Sequence, residues 1–128
     1  MKRRILVVED DSSLARVLCD NLVYEGFDVA LAGDGNRALK EHHSFNPDLV
    51  LLDLTLPGLD GFEVCRRLNR LQSRTGIIVL TARTAGNDKM ESMEAGANAF
   101  ISKPFDPELL IYKVNGFFGK AIIKKLGQ

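Results

Sequence analysis

Four apolar runs in this 128-residue sequence end on side chains that can do chemistry. "RILVV" (4–8) is followed by Glu9-Asp10-Asp11, and "LVLL" (49–52) by Asp53. "GIIVL" (76–80) is followed by Thr81, and "AFI" (99–101) by Ser102-Lys103-Pro104. A buried carboxylate without a partner is very costly, so an aspartate closing a greasy run needs a reason. Carboxylates brought together would repel one another and protonate unless a cation or an ammonium sits among them. Oxygen ligands without His or Cys select a hard cation, here Mg2+. A carboxylate can also be a nucleophile. An ammonium and Mg2+ neutralise phosphoryl oxygens, and a hydroxyl can hydrogen-bond one of them. The residue set therefore fits phosphoryl chemistry, provided the four run ends meet.

The elements between these residues bring the ends together. Strands are expected at 4–8, 27–31, 48–54, 76–82 and 99–102, from short apolar or alternating runs. Helices are expected at 12–26, 35–43, 61–71, 88–96 and from Asp106-Pro107 to about Phe118. Leu14, Leu18 and Leu22 share one face of the first helix, and Gly26 stops it. Phe62, Cys65 and Leu68 face inward from the third, and Leu110, Val114 and Phe117 from the last. Asp106 is a helix cap with proline at the first helical position. Gly33-Asp34, after the second strand, reads as an ordinary loop and cap. Five βα units imply an α/β fold: a parallel sheet with helices on both faces and right-handed crossovers. In such a sheet the ligand crevice lies at the carboxyl ends of the strands. Those are the ends that carry the polar residues.

Composition narrows the partners. Lys plus Arg equal Asp plus Glu at 17 each, so no bulk charge argues for nucleic acid or an anionic membrane. No apolar run approaches the roughly 20 residues of a membrane span. The basic-then-apolar start "MKRRILVVEDD" is too short in its apolar part for a secretory leader, so a cytoplasmic location is expected. Cys19 and Cys65 lack metal-ligand spacing and read as reduced core or boundary thiols.

Four motifs, "ILVVEDD", "PDLVLLDLTLPGLDGFEV", "IIVLTAR" and "GANAFISKPFDPELL", stand in order at specific spacings. With them the sequence resembles the receiver domain of two-component response regulators, from residue 3 to about 118. The resemblance implies a flavodoxin-like (βα)5 fold, a three-layer sandwich with strand order 2-1-3-4-5. It implies that Asp53 accepts phosphate from a phosphohistidine on a sensor histidine kinase or phosphotransfer protein. Asp10 would ligate Mg2+ directly, Glu9 through water, and Thr55 through its backbone carbonyl, with Asp53 completing the protein ligands. Lys103 would hold the phosphate, and Thr81 with Phe100 would form the switch pair. The affected surface would be helix 4, strand 5 and helix 5, meeting an output domain or partner. A cis peptide is expected at Lys103-Pro104. No turnover of an external substrate is implied, only the domain's own phosphorylation and dephosphorylation, and no direct nucleic-acid or membrane binding.

Plainer readings stand beside these. Asp11 reads as a helix-start residue rather than a ligand. Phe100 could be plain core. His42 and His43 are expected to be solvated and without a role, and Met90 and Met93 to be core. The winged-helix transcription-factor branch of the family usually has acids where this chain has Ala99 and Leu109. Lys89 and Lys113 stand here without them, which puts that branch's phosphorylation-driven dimer in doubt. Leu109 and Tyr112 make the last helix more apolar and suggest a protein-binding face. The segment 119–128 is expected to be a helix extension or linker stub. One rival is an aspartate-nucleophile phosphatase, but Thr55 stands where its second Asp would be. Another is a degenerate receiver acting only as an interaction module, but no acid, Thr or Lys of the set is lost.

Overall fold

A computed structural model describes residues 2–71, 74–82 and 87–119. In it five strands and five helices alternate: β1 (Arg4–Val8), α1 (Ser12–Tyr24), β2 (Asp28–Ala32), α2 (Gly35–Phe45), β3 (Leu49–Leu52), α3 (Gly61–Leu71), β4 (Gly76–Thr81), α4 (Asp88–Glu94), β5 (Ala99–Ser102) and α5 (Pro107–Phe117). The strands form one parallel sheet in the order β2-β1-β3-β4-β5. This is the flavodoxin-like arrangement expected.

Burial follows from that order. β3 and β4 are buried at every residue because helices cover both of their faces. The edge strand β2 leaves Asp28 and Leu31 exposed. Alternate strand residues feed two separate cores. Ile5, Val7, Leu49, Leu51, Ile78 and Leu80 pack with Leu18 and Leu22 of α1 and Leu110 and Val114 of α5. Leu6, Val8, Val50, Leu52, Ile77 and Val79 pack with Ala38 of α2 and with Phe62, Val64, Cys65 and Leu68 of α3. Period-2 alternation thus sorts one continuous apolar run onto two opposite layers.

The helix starts are held by carboxylates. Asp11 accepts the amides of Ser13 and Leu14 at 3.0 and 3.2 Å. Asp34 accepts that of Arg37 at 2.8 Å. Asp106 accepts that of Glu108 at 2.9 Å, with Pro107 opening α5. Cys19 and Cys65 are unbridged, half-buried and buried respectively, and the Lys103-Pro104 peptide is cis.

Three expectations are corrected. Met90 and Met93 are 63% and 43% exposed. α4 has only seven residues, and its inward position goes to Ser92, whose hydroxyl donates to Asp88 O at 2.7 Å. His42 is buried, because Gly35, Ala38 and His42 form the inward ridge of α2; His43 is exposed, as expected. Phe117 is exposed at the end of α5, and its neighbour Phe118 takes the packed position, 5.7 Å from the Phe27 ring. Segment 120–128 lies outside the described residues.

Candidate functional site

The strand ends converge at one edge of the sheet. Val8 of β1 stands opposite Leu52 of β3, so continuing the register by one residue sets Glu9 opposite Asp53. Backbone bonds carry the ladder past the strands. The amide of Glu9 donates to Ala32 O at 3.0 Å, that of Asp53 to Val8 O at 3.1 Å, and that of Lys103 to Thr81 O at 2.9 Å. These bonds fix where each functional side chain starts.

The side chains then meet around one ammonium. Lys103 Nζ lies 2.7 Å from Glu9 Oε1 and 3.0 Å from Asp53 Oδ2. The other oxygens are held by the backbone: Glu9 Oε2 accepts the Asp11 amide at 3.1 Å, and Asp53 Oδ1 accepts the Thr55 amide at 3.0 Å. Asp10 differs. Its residue is exposed, and its carboxylate has no hydrogen bond or ion pair among the described residues. One oxygen from each of Glu9, Asp10 and Asp53 nevertheless falls within 4.8 Å of the others.

Three carboxylates with one ammonium leave surplus negative charge in a largely buried place. Burial pushes the Glu9 carboxyl above its ordinary range and Asp53 adds to this, against the hydrogen bonds from Lys103 and Asp11. Burial alone would lower Lys103, but its hydrogen bonds to Glu9 and Asp53 outweigh that and raise it. The lysine therefore stays charged and holds the cluster together. The all-oxygen donor set, with the unpartnered Asp10 carboxylate at its open side, fits a hard divalent cation.

Thr81 and Phe100 share one side of the sheet. Val79 stands opposite Phe100 and Thr81 opposite Ser102, so Thr81 and Phe100 are diagonal neighbours. Thr81 is fully buried, while Phe100 is half-buried against the core on the α2–α3 side. Thr55, on the turn after β3, is exposed.

Gly61 was not singled out in the sequence, where it reads only as a helix start. A Cβ there would lie 2.5 Å from both Cα and O of Leu54. The first turn of α3 thus presses on the backbone between Asp53 and Thr55. The repeated glycines of "PGLDG" were the available signal.

The sequence profile of the response regulator receiver domain matches residues 5–115. The chain is 50% identical over 114 residues to the DNA-binding response regulator MtrA of Mycolicibacterium paratuberculosis, covering 89% of this chain and 50% of that protein. It is 40% identical over 125 residues to the alkaline phosphatase synthesis transcriptional regulatory protein PhoP of Bacillus subtilis, covering 98% of this chain and 50% of that one. It thus spans half the length of these curated relatives. Among solved structures, a CheY-like response regulator receiver domain protein from Methanospirillum hungatei superposes with a TM-score of 0.88. That match has 28% identity and covers 91% of this chain and 94% of the other. Among the described residues no helix is long and apolar enough to cross a membrane.

Proposed function

Since the chain belongs to the response regulator receiver domain family, we propose that Asp53 is the acceptor through which it takes a phosphoryl group from a phosphohistidine on a sensor kinase or phosphotransfer protein. The observation that carries this reading is the Lys103 ammonium bridging Asp53 and Glu9, with the Asp10 carboxylate unpartnered beside them. An Asp53 carboxylate oxygen attacks phosphorus, the P–N bond to the imidazole breaks, and the imidazole leaves with a proton. Lys103 is positioned to transfer its contacts from the carboxylates to a phosphoryl oxygen. The Thr55 amide holds Asp53 Oδ1 in place, so the aspartate needs little reorganisation to react.

Asp10, Asp53 and the Thr55 carbonyl would hold Mg2+, with Glu9 acting through water; when bound, Mg2+ offsets the charge on the phosphoryl oxygens. The Thr81 hydroxyl would bond a phosphoryl oxygen and Phe100 would turn with it, altering the α4-β5-α5 surface that carries Leu109 and Tyr112. Residues 1–118 would form the receiver domain and 119–128 a tail or linker stub. The output domain or partner at that surface, a role without direct DNA or membrane contact, and a cytoplasmic location complete the reading. Receiver domains of this family are not conventional turnover enzymes. Thr55, two residues after Asp53, supplies no second carboxylate for phosphatase chemistry.

The test is incubation with a small acyl-phosphate donor and Mg2+, read as intact mass. One phosphoryl group is expected on the wild type and none on Asp53→Asn. Stable phosphorylation of that variant would move the acceptor elsewhere.

A further inference from the structure

Adjacent helices α3 and α4 carry opposite surplus charge. α3 has Arg66, Arg67 and Arg70 against the single acid Glu63. α4 has Asp88, Glu91 and Glu94 against the single base Lys89. Glu63 occupies all three guanidiniums, at 3.1 Å from Arg66 Nε, 2.9 Å from Arg67 Nε and 3.5 Å from Arg70 Nη2. One carboxylate cannot neutralise three arginines. Glu91 and Glu94, one helix away, have no ion pair or side-chain hydrogen bond among the described residues. The two surpluses therefore sit side by side without meeting.

The packing fixes which faces are free. Cys65 Sγ lies 3.6 Å from Ala95 O, so the last turn of α4 lies beside the middle of α3. Helical spacing from Ala95 puts Glu91 on the edge of α4 nearest α3. Met90 and Glu94, four apart, form the next ridge outward, and Met90 is 63% exposed. Cys65 and Asn69 face α4 and Val64 faces α2, so Arg66 and Arg70 form the outer ridge on the α4 side while Arg67 projects towards α2. Glu94 is near the level of Arg66, and an exposed thioether lies beside it.

We propose that this α3–α4 face is an isologous interface for a second copy of the chain. A two-fold axis along the groove between the helices sets α3 of each copy over α4 of the other. Arg66 and Arg70 of one then meet Glu91 and Glu94 of its partner, twice by symmetry, with the Met90 side chains adding apolar area. The occupant is a second copy because the same face holds both halves of the charge complement. Its charge complement is present without any phosphoryl group on Asp53, and it lies apart from Leu109 and Tyr112 on α5.

Analytical ultracentrifugation of the chain over a wide concentration range tests it, with circular dichroism confirming that each variant is folded. Reversible dimerisation that weakens with salt is expected. Arg66→Glu with Arg70→Glu, and separately Glu91→Lys with Glu94→Lys, should each weaken self-association by roughly a hundredfold or more, because like charges then face each other. An equimolar mixture of the two double variants should restore dimers, since this face is then predominantly acidic on one and predominantly basic on the other. Leu109→Glu should leave the dimer intact. A chain monomeric throughout overturns the proposal, as does dimerisation indifferent to the reversals, loss of dimer only in Leu109→Glu, or a mixture that stays monomeric.

Discussion

Lys103 serves two carboxylates at once, which explains how Asp53 can close a buried strand. Removing the Asp53 charge leaves the lysine wholly to Glu9, so Asp53→Asn should hold or raise stability in metal-free buffer, read by thermal unfolding. A clear loss of stability would mean that Asp53 is chiefly structural. His42 presents the opposite case. It is buried, its Nε2 has no hydrogen-bond partner, and burial, followed by the neighbouring His43 charge, lowers its pKa. A lowered histidine favours the neutral form in the fold. Its contribution is present in full above the unfolded value of about 6.5 and is lost as pH falls. Wild-type denaturation midpoints should therefore decline from pH of about 7 towards 5, and His42→Leu should flatten that decline. Parallel pH profiles for the two proteins would contradict the assignment. The sequence put His42 in solvent because adjacent histidines near a helix end look polar. Only the ridge through Gly35 and Ala38 reveals that one of the pair must turn inward.

At the scale of elements, a glycine governs the geometry of the site. Alanine is ordinarily better than glycine inside a helix by roughly 0.5–1 kcal/mol. At position 61 the added Cβ would press on Leu54 backbone atoms at 2.5 Å, and backbone cannot rotate away as a side chain does. Overpacking of this kind costs about 1–3 kcal/mol and should outweigh the helical gain. Gly61→Ala should thus lower stability and also weaken Mg2+ binding by calorimetry, because the turn carrying Thr55 is displaced. Unchanged stability and affinity would show that α3 does not brace that turn. The strand-end residues were legible because polar side chains interrupt apolar runs at a fixed place in each βα unit. Gly61 was not, since close approach of a helix to a turn leaves no periodic trace. α4 was misjudged for a related reason: in seven residues the methionines looked like its apolar stripe, but Ser92 takes the inward place.

For the whole molecule, sheet order decides where a signal from Asp53 can go. The fold itself was readable, because five apolar runs with βα spacing admit few right-handed parallel arrangements. On the proposed reading, the direction of signalling depends on which part of the sheet Thr81 and Phe100 occupy. Thr81 and Phe100 lie on β4 and the edge strand β5, while α1 and α2 pack on β1 and β2 at the other edge. An acyl phosphate on Asp53 carries roughly −1.5 to −2 charges where the carboxylate carried −1. If Thr81 turns towards it, the space vacated lies on the side where Phe100 packs, and dense packing makes the two move together. The phosphoryl group shifts the equilibrium only so far as it favours the arrangement in which Thr81 turns to it and Phe100 fills the space behind. Beryllofluoride, a phosphoryl mimic, should therefore perturb backbone amides of residues 87–112 much more than those of residues 14–45 in an NMR titration. Thr81→Ala should still accept phosphate but shrink the first set of shifts. Equal or reversed perturbation of the two regions would rule out transmission through β4 and β5, and would leave Asp53 as an acceptor whose signal leaves by another face.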